Sequence, residues 1–288
     1  MALSLSLIVP AYNEAARLGK SLRTILDYLN RQTPESELIV VDDGSADETA
    51  RVAEESLGAA GRVQTRVIRN QPNRGKGHAV RTGLLAARAP VALFSDADLS
   101  TPITETPKLV SLIERGEADL TFASRALDRS LIGVHQPWRR EQGGKIFNLV
   151  VRLATGLPYW DTQCGFKAFR MNACRPIIEA ATIDRFGFDV EMLYVAHLAG
   201  LRLREVPARW DHNEGSKVEV MRDSLRMVNE VRTIRRRAQR GLYRAAIGAS
   251  RSALEGLRMR RPEPGAPGTL DSFEEEDSPQ LTGAARQS

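Results

Sequence analysis

The chain has 288 residues, 42% hydrophobic and 27% charged, enough to bury the core of one large α/β domain or two small ones and too apolar for wholesale disorder. Its two cysteines, Cys164 and Cys174, exclude a disulfide scaffold and a multi-cysteine zinc site and point to a reducing, cytoplasmic setting. A net charge of +5 raises the question of nucleic acid, and no stretch approaches the roughly 20 apolar residues of a membrane span.

The first apolar run lacks a basic leader and a cleavage site, so it reads as a buried first strand rather than a signal peptide. Strands are predicted at 3–9, 38–41, 63–69, 91–95 and 120–124. Helical patterns intervene at 14–31, 47–57, 78–88 and 103–115, the alternation that builds a parallel sheet covered by helices. Ser45-x-x-Glu48 reads as a capping box, and Thr101-Pro102 puts proline in a first helical turn. Further on come a helix at 139–155, a strand at 165–170, helices at 174–180 and 189–198, and a strand at 203–210. From Met221 to Ala249 apolar residues recur in steps of three and four, an amphipathic helix with Arg235-Arg236-Arg237 on its polar side.

Charge is unevenly spread. Residues 217–261 hold 13 Lys and Arg against 4 Asp and Glu, whereas residues 262–288 hold 1 against 6. The expected organisation is a catalytic domain at 1–216, a basic amphipathic helical segment at 217–261 and a disordered tail at 262–288 rich in Pro, Gly, Ser and Glu. Basic charge confined to one segment, without interleaved aromatics, argues against a nucleic-acid partner. It suits an anionic membrane surface instead.

Ligands of open α/β sheets bind beyond the carboxyl ends of the strands. The first four strands run into Pro10-Ala11-Tyr12-Asn13-Glu14, Asp42-Asp43-Gly44-Ser45, Asn73-Arg74-Gly75-Lys76-Gly77 and Asp96-Ala97-Asp98. Asn13 reads as a helix cap or a ligand contact, and Asp42 and Asp43 as helix-dipole partners or acceptors for a ribose diol or base N–H. Gly75-Lys76-Gly77 permits close backbone approach and supplies a cation, although it lacks the spacing of an NTPase phosphate loop. No GxGxxG follows strand one, which counts against a dehydrogenase. Asp96-x-Asp98 places two carboxylates where they can share a hard divalent cation with diphosphate oxygens.

PAYNE, VDDGS, NRGKG and DAD, in this order, resemble the family 2 glycosyltransferases of the GT-A fold. DTQCGFK at 161–167, FDVEMLY at 188–194 and EGSK at 214–217 look like the dolichyl-phosphate β-glucosyltransferase branch and related polyprenyl-phosphate glycosyltransferases. The resemblance implies a Rossmann-like, mostly parallel sheet flanked by helices. The implied reaction is inverting transfer of glucose from UDP-glucose to a dolichyl or undecaprenyl phosphate. GDP-mannose transfer to the same lipid, or a non-catalytic nucleotide-sugar-binding membrane scaffold, are the alternatives.

Carried over residue by residue, Pro10, Ala11, Tyr12 and Glu14 line the nucleotide pocket, Asp42 or Asp43 holds the base or ribose, and Lys76 lies near the nucleotide. Asp96 and Asp98 bind Mg²⁺ or Mn²⁺ with the donor diphosphate, and Asp98, Arg125, Gln163 and Asp189 form the catalytic set. Asp189 and Glu191, two apart at a helix start, do not share a face, so one points to the site while the other caps or pairs. Arg139, Arg140, Ser216 and Lys217 are candidates to grip the acceptor phosphate, or belong to a solvated face. Cys164 is read as packing, with no basic partner to activate it. A chain starting on its first strand departs from the anchored eukaryotic branch, so cytoplasmic residence with peripheral attachment to the inner membrane face is expected.

Overall fold

The computed structural model describes residues 3–32, 35–134, 138–212 and 220–259. Nine strands form among them: β1 (Leu5–Ala11), β2 (Ser36–Asp42), β3 (Gln64–Arg69), β4 (Val91–Ser95), β5 (Leu120–Ser124), β6 (Ile132–Val134), β7 (Phe166–Arg170), β8 (Leu203–Pro207) and β9 (Trp210–Asp211). The helices are α1 (Ala15–Arg31), α2 (Thr49–Leu57), α3 (Lys76–Ala86), α4 (Thr106–Glu114), α5 (Trp138–Thr155), α6 (Met171–Ala180), α7 (Phe188–Leu198), α8 (Val220–Gln239) and α9 (Arg244–Met259). Seven strands make one sheet in the order β3-β2-β1-β4-β7-β5-β8, and β6 pairs with β9. Within the large sheet only β7 runs antiparallel, between β4 and β5. The α/β, mostly parallel architecture expected from the sequence is therefore present.

Alternation of side chains along each strand sends residues to opposite faces. Leu7, Val9, Leu38, Val40 and Leu93 pack under α1, α2 and α4 on one face. Ile8, Ile39, Val41 and Phe94 pack with residues of α3, α6 and α7 on the other. Val231 and Ile234 of α8, with Tyr243 and Leu254, join that second core.

Four local expectations are corrected. Strand one runs on through Pro10 and Ala11, paired with Val41 and Asp42. Ser45 does not cap α2, because its hydroxyl donates to Asp42 instead, and Asp47 Oδ1 accepts the Thr49 N–H at 3.0 Å. The helix read from Pro102 onward begins as a 3-10 turn at Ile103–Glu105 before α4. The amphipathic stretch 221–249 is two helices, broken at Gly241 with φ 75°. Of its apolar stripe, Val231 and Ile234 are buried in the protein core, whereas Leu242, Ala245 and Ala249 are exposed; the 262–288 tail lies outside the described residues.

The chain steps outward from β1 to β2 and β3, then returns to the other side of β1 as β4. The carboxyl ends of β1 and β4 thus flank the crevice where ligands bind in such sheets. Because β7 is reversed, its amino end reaches the same edge, with Phe166 opposite Ser95.

Candidate active site

β1 delivers the buried Pro10 and Ala11, the exposed Tyr12, and then Asn13 in the left-handed region at φ 52°. Asn13 is pinned on both sides: its N–H donates to Ser45 Oγ at 2.9 Å and its Oδ1 accepts the Ala46 N–H at 2.8 Å. The Glu14 N–H donates to Thr49 Oγ1 at 2.7 Å, and its carboxylate accepts from Arg17 Nη2 at 2.8 Å. The hydrogen bond to Glu14 and the fields of Asp98 and Asp96 outweigh burial and raise the Arg17 pKa, which brings an unforeseen cation to this edge.

Asp42 and Asp43 are engaged by the chain's own loops. Asp42 Oδ1 accepts the Ser45 N–H at 3.1 Å. Asp43 Oδ2 accepts from Asn73 Nδ2 at 2.8 Å and the Gly75 N–H at 2.6 Å, so it ties the loop after β2 to the one leading into α3. The two glycines around Lys76 have a different reason from the one expected. A Cβ at Gly75, φ 120°, would meet Asp184 O, and one at Gly77 would meet Ile183 O and Phe188 Cβ. The close approach they permit is to the chain itself.

At the β4 end, Asp96 and Asp98 lie on a turn closed by the Leu99 N–H donating to Asp96 O at 3.1 Å. Leu99 adopts φ 51°, a costly conformation for a branched side chain that marks a constrained site. Asp98 Oδ1 accepts the Ser100 N–H at 2.9 Å. The Asp96 N–H donates to Gly165 O at 3.0 Å, and a Cβ at Gly165 would overlap the Asp96 carboxylate. TQCGFK therefore carries glycine because Asp96 occupies the space.

Lys76, at the start of α3, places Nζ 2.6 Å from Asp96 Oδ1. Burial disfavours its charge, but Asp96, Asp189 and Asp98 together raise its pKa above the ordinary value. Asp189 is buried in the first turn of α7 and its Oδ1 accepts from Lys167 Nζ at 2.6 Å. Burial raises the Asp189 pKa against the opposing pull of Lys167 and Lys76. Lys167, fully buried in mid-β7, also donates to Cys164 O at 2.6 Å. Its role was missed; the only sequence signal was a lysine inside the apolar strand FKAFR.

Glu191 faces away. Its Oε2 accepts the Thr182 and Ile183 N–H groups at 2.8 Å, and its Oε1 accepts from Tyr243 OH at 2.6 Å. Asp189 is the acid of the pair that meets the cluster.

Arg125 forms a two-pronged bridge to buried Asp161, Nε to Oδ2 at 2.6 Å and Nη2 to Oδ1 at 2.8 Å. Its guanidinium stacks 5.4 Å from the Trp210 ring. Burial opposes its charge but Asp161 prevails, and the field of Asp96 adds to it. Asp161 was not among the expected residues, and its N–H is in turn held by Glu205 Oε1 at 2.8 Å. Gln163 Nε2 lies 3.1 Å from Met227 Sδ. Burial pushes the neighbouring Cys164 thiol up to about 11, so it is protonated and inert near neutral pH.

The structure thus brings Glu14, Lys76, Asp96, Asp98, Asp189 and Arg125 to one edge. Arg139 and Arg140 stand in the first turn of α5, with side chains outside the described residues, as are Ser216 and Lys217. As for a metal, Asp96 Oδ1 is buried and receives no aligned hydrogen bond, with the Lys76 ammonium beside it and Arg17 and Arg125 within reach of its field. Two carboxylates on one turn fit a hard cation that fills its remaining positions with water and substrate phosphate oxygens. Among the described residues no three His, Cys, Asp or Glu side chains gather into a cage.

Residues 6–177 match the Glycosyl transferase family 2 family. The chain is 32% identical over 250 residues to a dolichyl-phosphate beta-glucosyltransferase of Dictyostelium discoideum, covering 83% of this chain and 76% of that protein. It is 34% identical over 257 residues to the protein of the same name from Homo sapiens, covering 83% and 77%. Among solved structures it shares its fold, at TM-score 0.56 and 20% identity over 81% of this chain and 78% of the other, with glucosyl-3-phosphoglycerate synthase from Mycobacterium tuberculosis, in complex with Mn²⁺, uridine-diphosphate-glucose and glycerol 3-phosphate.

Proposed function

Since the chain belongs to glycosyl transferase family 2 and is a glycosyltransferase, we propose that it transfers glucose from UDP-glucose to a polyprenyl phosphate of the dolichyl or undecaprenyl kind, with inversion at the anomeric carbon. The observation that carries this reading is the Asp96–Asp98 turn at the β1–β4 crevice, faced by Lys76, in a chain whose relatives are named for glucosyl transfer to a lipid phosphate.

Asp96 and Asp98 would hold Mg²⁺ or Mn²⁺, which when bound neutralises charge on the departing diphosphate. Lys76 gives up part of its pairing with Asp96 to face that diphosphate. Pro10, Ala11, Tyr12 and Glu14 wall the nucleotide, while Asp42 and Asp43 stiffen the loops around it and offer acceptors to the base or ribose. The acceptor oxygen attacks C1 of the sugar in line as the bond from C1 to the diphosphate oxygen breaks.

A phosphate monoester already carries its nucleophilic oxyanion near neutral pH, its second ionisation lying around 6, so no strong base is needed. That supports Asp189, locked to Lys167, as an orienting group rather than a proton acceptor. Arg125, Gln163, Arg139, Arg140, Ser216 and Lys217 are assigned to the donor and acceptor phosphates. No helix among the described residues is long and apolar enough to cross a membrane, and peripheral attachment to the cytoplasmic membrane face completes the reading.

Calorimetry with UDP-glucose and GDP-mannose, with Mn²⁺ and then with chelator, tests the donor. Metal-dependent UDP-glucose binding that disappears in Asp98→Ala is expected. Tight GDP-mannose binding in its place would reassign the donor, and no binding of either would defeat the proposal.

A further inference from the structure

Eight large apolar side chains are exposed among the described residues, and six of them belong to the single excursion between β5 and β7. Four of these six stand on or just after α5: Ile146 at 64%, Leu149 at 53%, Leu153 at 77% and Trp160 at 55%. Ile146, Leu149 and Leu153, spaced by three and four, share one side of the helix, whereas Phe147 and Val151 turn into the core on the other. A single exposed leucine needs no explanation, but a stripe of this kind marks an interaction surface.

Charge identifies the partner. The Arg152 guanidinium lies over the Trp160 ring at 3.9 Å, and Lys145 is exposed beside Ile146. The helix packed against α5 is α8, which exposes Arg226, Arg232, Arg235 and Arg236. Apolar side chains flanked by tryptophan and basic groups match the boundary between lipid headgroups and acyl chains of an anionic bilayer. In the α8 part of the C-terminal stripe, Val231 and Ile234 are buried in the core and so do not face a membrane. Both ends of the excursion are fastened beside the site, where Arg125 grips Asp161 and Glu205 holds the N–H groups of Trp160 and Asp161.

We propose that the outer face of α5, with Trp160, docks on the interfacial layer of an anionic lipid bilayer and so sets the Asp96 edge beside a membrane-borne acceptor. The purpose rests on the lipid-acceptor reading above, but the geometry does not.

The test uses the full chain and sedimentation with vesicles of phosphatidylcholine alone or mixed with phosphatidylserine. Wild type is expected to sediment with the mixed vesicles and to be released by salt. Leu149→Asp/Leu153→Asp is expected to bind about 100-fold more weakly, roughly tenfold per leucine, with metal-dependent UDP-glucose binding unchanged as proof of folding. Equal sedimentation of variant and wild type overturns the proposal, as does a wild-type protein that ignores both vesicles. A wild-type dimer in gel filtration that the variant loses would assign the face to a second copy and also overturn it. Transfer to detergent-dispersed polyprenyl phosphate without vesicle binding defeats this inference alone. Vesicle binding without any such transfer upholds it and defeats the acceptor reading.

Discussion

Lys167→Met is the sharpest probe of how the site is held. The lysine is fully buried, with Nζ 2.6 Å from Asp189 Oδ1, and Asp189 is itself buried. Methionine keeps the stem and removes the charge, leaving the Asp189 carboxylate in the core with one neighbour fewer. Breaking a buried pair from one side costs about 3–5 kcal/mol. At about 2–4 °C per kcal/mol for a chain of this size, the melting temperature should fall by about 6–20 °C. Lys167→Met/Asp189→Leu, which removes both charges, should recover most of that loss. Calorimetric unfolding of wild type, the two single variants Lys167→Met and Asp189→Leu, and the double variant reads the coupling directly, with about 2 kcal/mol or more expected between the sites. Single variants that add within about 0.5 kcal/mol would refute the reasoning, because water would then be screening the pair.

Gly165→Ala should leave the fold standing at a cost of about 1–3 kcal/mol, yet lower turnover about 100-fold by displacing the Asp96 carboxylate; steady-state kinetics beside a thermal melt separate the two. Burial opposes ionisation of Asp119 and Asp161, but Arg202, Arg170 and Arg125 overcome it and lower both pKa values. A carboxyl lowered in the folded state stabilises above its unfolded value, about 4, and that stability is lost as pH falls through the folded value. Melting temperature should therefore drop steeply below about pH 4, and Asp161→Asn, less stable near neutrality, should show a shallower acid limb. Cys164 and Cys174, both buried with raised thiol pKa values, should resist iodoacetamide at about pH 8 in the native protein and react in denaturant; rapid native labelling would contradict their burial.

Much of the fold was legible because its signals are local. Apolar runs broken by turn residues, read with the helical periods between them, placed β1 to β5 and the loops beyond their carboxyl ends. Contacts distant in sequence were not legible. Nothing in FKAFR announces that β7 runs backwards or that Lys167 is neutralised by an acid 22 residues on. Gly75 and Gly77 read as room for a ligand, whereas the space is filled by residues 183–188. Ser45 satisfied a capping pattern, but the nearer Asp42 carboxylate captured its hydroxyl. Spacing showed that Asp189 and Glu191 diverge; only their partners, Lys167 against Tyr243, decided which one faces the site. The amphipathic period of the C-terminal segment was plain, yet periodicity does not say whether a stripe faces lipid or core.

The central claim is tested most directly by incubating the purified chain with radiolabelled UDP-glucose, Mg²⁺ and detergent-dispersed polyprenyl phosphate, then counting label in the organic phase. The expected result is a labelled glycolipid from the wild type, abolished by chelator and by Asp98→Ala. Label that stays in water-soluble phosphate products, or that enters the lipid only from GDP-mannose, would contradict the account.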